Sequence, residues 1–195
     1  VARSNPSPED DASDQIRLTR GSAVPKFAFD DHNNYHRSEP EMLQPGDKAP
    51  AFSLPDADMV RVKLAQYREK NNLVLYFYPK DDTPGCTIEA LEFTDLQPEF
   101  SALDTQILGV SKDNCVSHGA FRDKHGIDVR LLADPEGEAC EAYDVWREKE
   151  VRGEKHMGIV RSTFIVDKSG IIRHALYDIK PKGHAAQVLE LLREL

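Results

Sequence analysis

Residues 73–78 read LVLYFY, an unbroken apolar and aromatic run that stops at Pro79. Such a short, continuous run offers no polar face to water, so it reads as a strand buried on both sides. A strand of that kind needs a layer of structure above and below it. The flanking segments supply those layers. CTIEALEFTDLQPEF (86–100) has helical spacing, with Ile88, Leu91 and Phe100 expected toward the core and a break expected at Pro98. TQILGVS (105–111) is a second buried strand, and CVSHGAFRDKHG (115–126) is a helix closed by Gly126. VRLLAD (129–134) is a short strand, and PEGEACEAYDV (135–145) is a short helix with Pro135 near its start. STFIVDKSGIIRHALY (162–177) reads as a hairpin turning at DKSG. HAAQVLELLREL (184–195) reads as an amphipathic helix with Ala186, Leu189 and Leu192 or Leu195 on its inner face. The expected fold is α/β, a central mixed sheet with parallel middle strands and an antiparallel pair, flanked by helices on both faces. Reactive loops in such sheets lie at the carboxyl ends of the parallel strands, and Cys86 follows one of those ends.

The first 41 residues have a different character. SNPSPEDDASD and its surroundings are too polar to offset the entropy of ordering. The expectation is a disordered extension over 1–41 preceding a domain of residues 42–195, with VPKFAF (24–29) as its one apolar cluster. A net charge of -9 argues against nucleic acid and against anionic membrane surfaces as partners. No apolar run approaches the roughly 20 residues of a membrane span. The N-terminus has no apolar stretch of a secretory signal and is too acidic for a transit peptide. Cys86, Cys115 and Cys140 are odd in number and widely spaced, which points to a reducing, cytoplasmic location.

PKDDTPGC (79–86) is the segment that carries chemistry. Pro79 ends the strand, Gly85 permits close backbone approach, and the first N–H groups of the following helix have no intrahelical acceptors. A thiolate is favoured at such a helix start, and Thr83 adds a hydroxyl that can donate or accept. A free thiol is only about 3% ionised at pH 7. Full ionisation therefore gains roughly thirtyfold, whereas enzymes gain about a million-fold or more. Most of the rate must come from groups that stabilise the transition state. A thioredoxin-type C-x-x-C pair is ruled out, because residues 83 and 89 are Thr83 and Glu89. A cysteine phosphatase would need an arginine where Glu92 stands. Zinc would need more ligands than Cys115 and His118. What remains is a lone activated thiolate beside a hydroxyl.

Pro79, Thr83 and Cys86 in YPKDDTPGCTIEA match the Pro-x-x-x-Thr-x-x-Cys signature of peroxiredoxins. The chain resembles their bacterioferritin comigratory protein / PrxQ branch through PGDKAPAFSLPDAD, ILGVSKD, LLADPEGEACEAYDVW and RSTFIVDKSG, over about residues 42–195. The resemblance implies a thioredoxin-like fold and thiol-dependent reduction of hydrogen peroxide and organic hydroperoxides, with no metal and no organic cofactor. It implies Cys86 as the peroxidatic thiolate, Thr83 as a partner of the peroxide and Pro79 as a shield. Arg161 would be the supporting cation, held by Glu89. The implied reductant is an external thiol, with thioredoxin, glutaredoxin or glutathione as candidates, and the implied state is a monomer or homodimer. Members of the branch typically begin near MLQPGDKAP, so Met42 is an alternative start.

The chain departs from the family at both usual resolving positions, which hold Leu91 and Arg122. An external thiol, Cys115, or Cys140 and an intermolecular bridge remain as routes, with Cys115 the internal candidate and Cys140 read as core packing. Bridging to Cys115 would need the two Cα atoms within about 7 Å, and hence local unfolding. A second class of function also fits the missing resolver: a thioredoxin-fold redox sensor or binding protein with negligible turnover. Trp146 reads as a lid or core residue and REKEVRGEK (147–155) as an exposed loop near the substrate mouth. DKHG (123–126) and NNYH (33–36) read as solvated turns.

Overall fold

The computed structural model describes residues 42–151 and 153–195. The expected disordered extension, with VPKFAF and NNYH, lies outside them. A short antiparallel hairpin, β1 (Ser53–Pro55) and β2 (Arg61–Lys63), precedes the apolar run, which forms β3 (Asn72–Phe77). β3 pairs in parallel with β4 (Thr105–Ser111), and β4 with β5 (Arg130–Ala133). On its other side β3 runs antiparallel to β8 (Ser162–Val166), which pairs with β9 (Ile172–Leu176). The five-stranded order is β5-β4-β3-β8-β9, the expected mixed sheet with its hairpin at one side.

Alternation along β3 explains why its sequence has no polar face. Leu73, Leu75 and Phe77 point into one core with Phe52, Leu54 and Val62 of the N-terminal segment and with Cys140 of the short helix α4 (Glu138–Ala142). Val74, Tyr76 and the following Tyr78 point into a second core. That core is covered by α1 (Pro84–Asp95), α2 (Gln97–Ala102), α3 (Cys115–His125) and α5 (His184–Arg193). Full burial of each such side chain contributes about 1.5–3 kcal/mol, so a central strand buried on both faces anchors both layers at once.

Several local expectations need correction. α1 turns Cys86, Glu89, Ala90 and Phe93 inward, while Ile88 is 43% exposed and Leu91 only half-buried. The true inner face includes a glutamate, Glu89, which a hydropathy pattern scores as polar. The expected break near Pro98 is present: α1 ends at Asp95, and Pro98 sits in the first turn of α2, where a missing N–H costs nothing. Pro135 lies in the turn before α4, whose cap is Gly137. α5 buries Ala185, Val188, Leu189 and Leu192, leaving Ala186 and Leu195 exposed. Most of REKEVRGEK is strand where a loop is expected: residues 147–151 lie in β6 (Trp146–Val151), and Glu154 and Lys155 begin β7 (Glu154–Ile159), paired with it in a two-stranded ribbon. Its exposed charges alternate with little apolar content, so no strand period announces it. Trp146 packs half-buried against the first core, with Lys112 Nζ 4.5 Å above its ring. His125 of DKHG, at the end of α3, is hydrogen-bonded to Asp82 at 2.7 Å and is not a free solvated side chain.

Gly109, buried in β4, faces the Tyr76 ring. A Cβ there would lie 2.6 Å from Tyr76 Cζ and Oη and 2.9 Å from Leu131 Cδ2. Gly109→Ala is expected to destabilise the chain by about 1–3 kcal/mol through overpacking, read as a lower urea midpoint with an unchanged slope.

Candidate active site

The carboxyl ends of β3 and β4 lie level, since Phe77 is opposite Val110. Each feeds a helix, α1 carrying Cys86 in its first turn and α3 beginning at Cys115. Thr83 caps α1 with extended backbone and Pro84 is the first helical residue, where its lack of an N–H is harmless. The Thr83 hydroxyl does not bond to the helix. It donates to the Lys80 carbonyl at 3.1 Å, which leaves its lone pairs free to accept. Neither the Gly85 nor the Cys86 N–H finds an acceptor among the described residues.

The cation arrives from far along the chain. β8 starts antiparallel to the end of β3, with Ser162 opposite Phe77. The residue just before β8 therefore reaches the point where β3 releases the loop, and that residue is Arg161. Its Nη2 donates to Cys86 Sγ at 3.1 Å, and its Nη1 donates to Glu89 Oε2. Glu89 stands one turn along α1 on the same face as Cys86, and both are essentially inaccessible. The structure thus brings together Cys86, Arg161 and Glu89, with Thr83 at the helix cap. Pro79 is solvent-exposed at the exit of β3, and the Cys86 sulfur is covered within the second core.

Charge balance in this cluster is tight. Burial is the main influence on Glu89 and raises its carboxyl to about 7, with Arg161 pulling it down only in part. Burial acts against the charge of Arg161, but Glu89 and the Cys86 sulfur outweigh it and raise its pKa. The guanidinium is shared between the carboxyl and the sulfur.

Two nearby residues were not visible as site residues in the sequence. Tyr76 lies inside the apolar run; its buried hydroxyl has no partner among the described residues, and burial, then Glu89 and Cys86, raise its pKa well above the ordinary value. Lys149, within the charge run, donates to the Ile159 carbonyl. Burial first, then Arg161, lowers its pKa, while Asp178 and Cys86 oppose the shift. Its sequence signal is only its place in a segment preceding Arg161.

The other cysteines differ. Cys115 is half-exposed at the start of α3. Cys140 is fully buried, its N–H donates to Asp134 at 2.8 Å, and burial and then Asp134 push its thiol far up. At the usual resolving positions Leu91 packs against the second core, and Arg122 pairs with Asp58 at 2.9 Å.

A thiol under an arginine at a helix start, on a mixed sheet of this order, defines a thioredoxin-like thiol peroxidase. Comparison with known proteins agrees: residues 45–175 match the AhpC/TSA family, and the chain belongs to that family. It is 44% identical over 153 residues to Peroxiredoxin Bcp of Bacillus subtilis, covering 78% of this chain and 97% of that one. It is 39% identical to Peroxiredoxin Bcp of Escherichia coli, with 78% and 97% covered. Among solved structures, Xylella fastidiosa PrxQ matches with a TM-score of 0.75 at 36% identity, covering 79% and 98%. The bacterioferritin comigratory protein of Xanthomonas campestris, described for its alkyl peroxide reduction activity, matches with a TM-score of 0.71 at 37% identity, covering 78% and 96%. The expected thioredoxin-like fold and PrxQ-branch membership are thereby established, and the chain is a thiol-dependent peroxidase.

A carboxyl whose folded pKa is raised keeps a proton that it loses on unfolding. Glu89 therefore costs stability increasingly as pH rises from its ordinary value of 4.5 to about 7. Glu89→Gln should remove that slope. Urea unfolding at pH 5 and pH 8 should show the variant gaining on the wild type at the higher pH, and equal pH dependence would contradict the assignment.

Proposed function

We propose that Cys86 is the thiolate that attacks peroxide, and that the 3.1 Å contact from Arg161 Nη2 to its sulfur carries the reading. The sulfur attacks the terminal oxygen of the hydroperoxide and an S–O bond forms as the O–O bond breaks. Cys86 is oxidised to a sulfenic acid, and the departing hydroxide or alkoxide takes up from solvent the proton that the thiol released on ionising, leaving as water or alcohol. Arg161 and the free Gly85 and Cys86 amides are placed to stabilise the charge that develops on the oxygens. Thr83, its own proton committed to Lys80, accepts from the peroxide hydroxyl. Pro79 stiffens the loop, and Glu89 orients Arg161.

The sulfenic acid then condenses with a thiol, releasing water. An external thiol is the favoured resolver, because Cys140 is buried and Leu91 and Arg122 cannot serve; thioredoxin is its proposed source, with glutaredoxin or glutathione as rivals. The half-exposed Cys115 supports a second route by internal disulfide. Hydrogen peroxide and organic hydroperoxides are the proposed substrates, the latter supported by the alkyl peroxide activity in the Xanthomonas protein's description. Residues 42–195 are the proposed catalytic domain. A cytoplasmic location and a monomeric or homodimeric state complete the proposal. No helix among the described residues is long and apolar enough to cross a membrane.

Intact mass after one equivalent of hydrogen peroxide, without reductant, tests the reading. One added oxygen, mapped to Cys86, is expected. Loss of two hydrogens with a Cys86–Cys115 peptide would assign the internal route instead, and an unchanged mass would refute peroxide chemistry at this thiol. Cys86→Ser should abolish turnover with dithiothreitol. Arg161→Met should slow Cys86 oxidation by about 100-fold or more, as loss of a transition-state donor does.

A further inference from the structure

The loop between β3 and α1 is tied to α3 by contacts that the chemistry above does not use. Asp81, 6% exposed, accepts from the Tyr78 hydroxyl and from Ser117 Oγ, each at 2.7 Å. Its two oxygens lie 3.1 and 2.9 Å from His118 Nδ1. The Asp81 N–H donates to Asp113 at 2.9 Å, and Ser111 Oγ donates to the same carboxylate oxygen at 2.8 Å. The next residue, Asp82, adopts a left-handed backbone (φ 55°) and reaches the other end of α3, accepting from Lys124 at 2.6 Å and pairing with His125 at 2.7 Å. The loop is thus fastened to both ends of one helix.

His118 is fully buried and its Nε2 has no partner among the described residues. With Nδ1 facing a carboxylate, the ring carries a proton on Nδ1 and donates it to Asp81. Burial alone would raise the Asp81 carboxyl; the hydrogen bond and then the charge of His118, followed by the bonds from Ser117 and Tyr78, outweigh it and hold it below the ordinary range. Asp81 follows Lys80, whose carbonyl receives the Thr83 hydroxyl at 3.1 Å. Fixing Asp81 therefore fixes the acceptor that aims Thr83.

We propose that Asp81 and His118 are a positioning pair whose Nδ1–H to carboxylate bond sets the loop so that the lone pairs of Thr83 face the peroxide. The proposal rests on the reading of Cys86 as the attacking thiolate.

The two amide variants of His118 separate the bond from the bulk. Asn places its NH2 where Nδ1 stands, and Gln places it nearer Nε2. In the full chain, single-turnover oxidation of Cys86 by hydrogen peroxide should slow about tenfold in His118→Gln and stay within about threefold of wild type in His118→Asn, since small displacements of reacting groups carry costs of this order and above. Alkylation of Cys86 by iodoacetamide, which does not use Thr83, should be the same in all three proteins. Equal peroxide rates for the Asn and Gln variants would overturn the pair. So would peroxide and alkylation rates that fall together, because the effect would then lie in the fold or the sulfur. Should the His118 variants not fold, Ser117→Ala reads the same clamp; a slower peroxide step with unchanged alkylation supports it and an unchanged peroxide step overturns it. A wild-type Cys86 inert to peroxide would refute the underlying reading as well, whereas an active wild type with indifferent variants refutes only the pair.

Discussion

One guanidinium serves two acidic groups in a place water scarcely reaches. Cys86 and Glu89 are each 1% exposed or less, and Arg161 bonds to both. A buried anion is tolerated only with a partner that compensates its lost hydration. Burial raises the pKa of Glu89 even with the guanidinium beside it. One guanidinium bonds to the carboxyl through Nη1 and to the sulfur through Nη2, so each has an electrostatic partner.

The sheet exists to make that meeting possible. Parallel pairing of β3 and β4 puts two loops and two helix starts at one edge. Antiparallel pairing of β8 with β3 delivers the residue before β8 to the same edge. Had β8 run parallel, its start would lie at the opposite end of β3 and Arg161 could not approach Cys86. The strong apolar burial of β3 on both faces thus fixes the position of the reacting groups as well as the core.

Around this centre the loop from Pro79 to Thr83 is organised by polar contacts, with few apolar ones. Its acidic pair, Asp81 and Asp82, binds it to α3 at Ser117 and His118 and again at Lys124 and His125. A loop fixed by directional bonds keeps its carbonyl and hydroxyl groups oriented before any substrate arrives, and that preorganisation is what electrostatic catalysis requires. Asp82 accepts an uncommon backbone conformation as part of this arrangement.

Much of this was legible in the sequence, and the misses share a cause. The apolar runs at β3 and β4, the Gly126 stop and the DKSG hairpin reflect local chemistry and emerge as expected. The Pro79, Thr83, Cys86 and Arg161 pattern pointed to the right family. The inner face of α1 was misread because Cys86 and Glu89 face inward to meet Arg161, a reason that lies 72 residues or more away. The β6–β7 ribbon was missed because charged strands with one exposed face carry no hydropathy period. Tyr76, Lys149 and the Asp81–His118 bond depend on neighbours from other strands and helices. Burial of the apolar runs and the placement of Cys86 in the first turn of a helix follow from hydrophobicity and backbone geometry along a few residues. Which charges meet that thiol does not follow from them, because a charge's partner and its hydration are properties of three-dimensional packing.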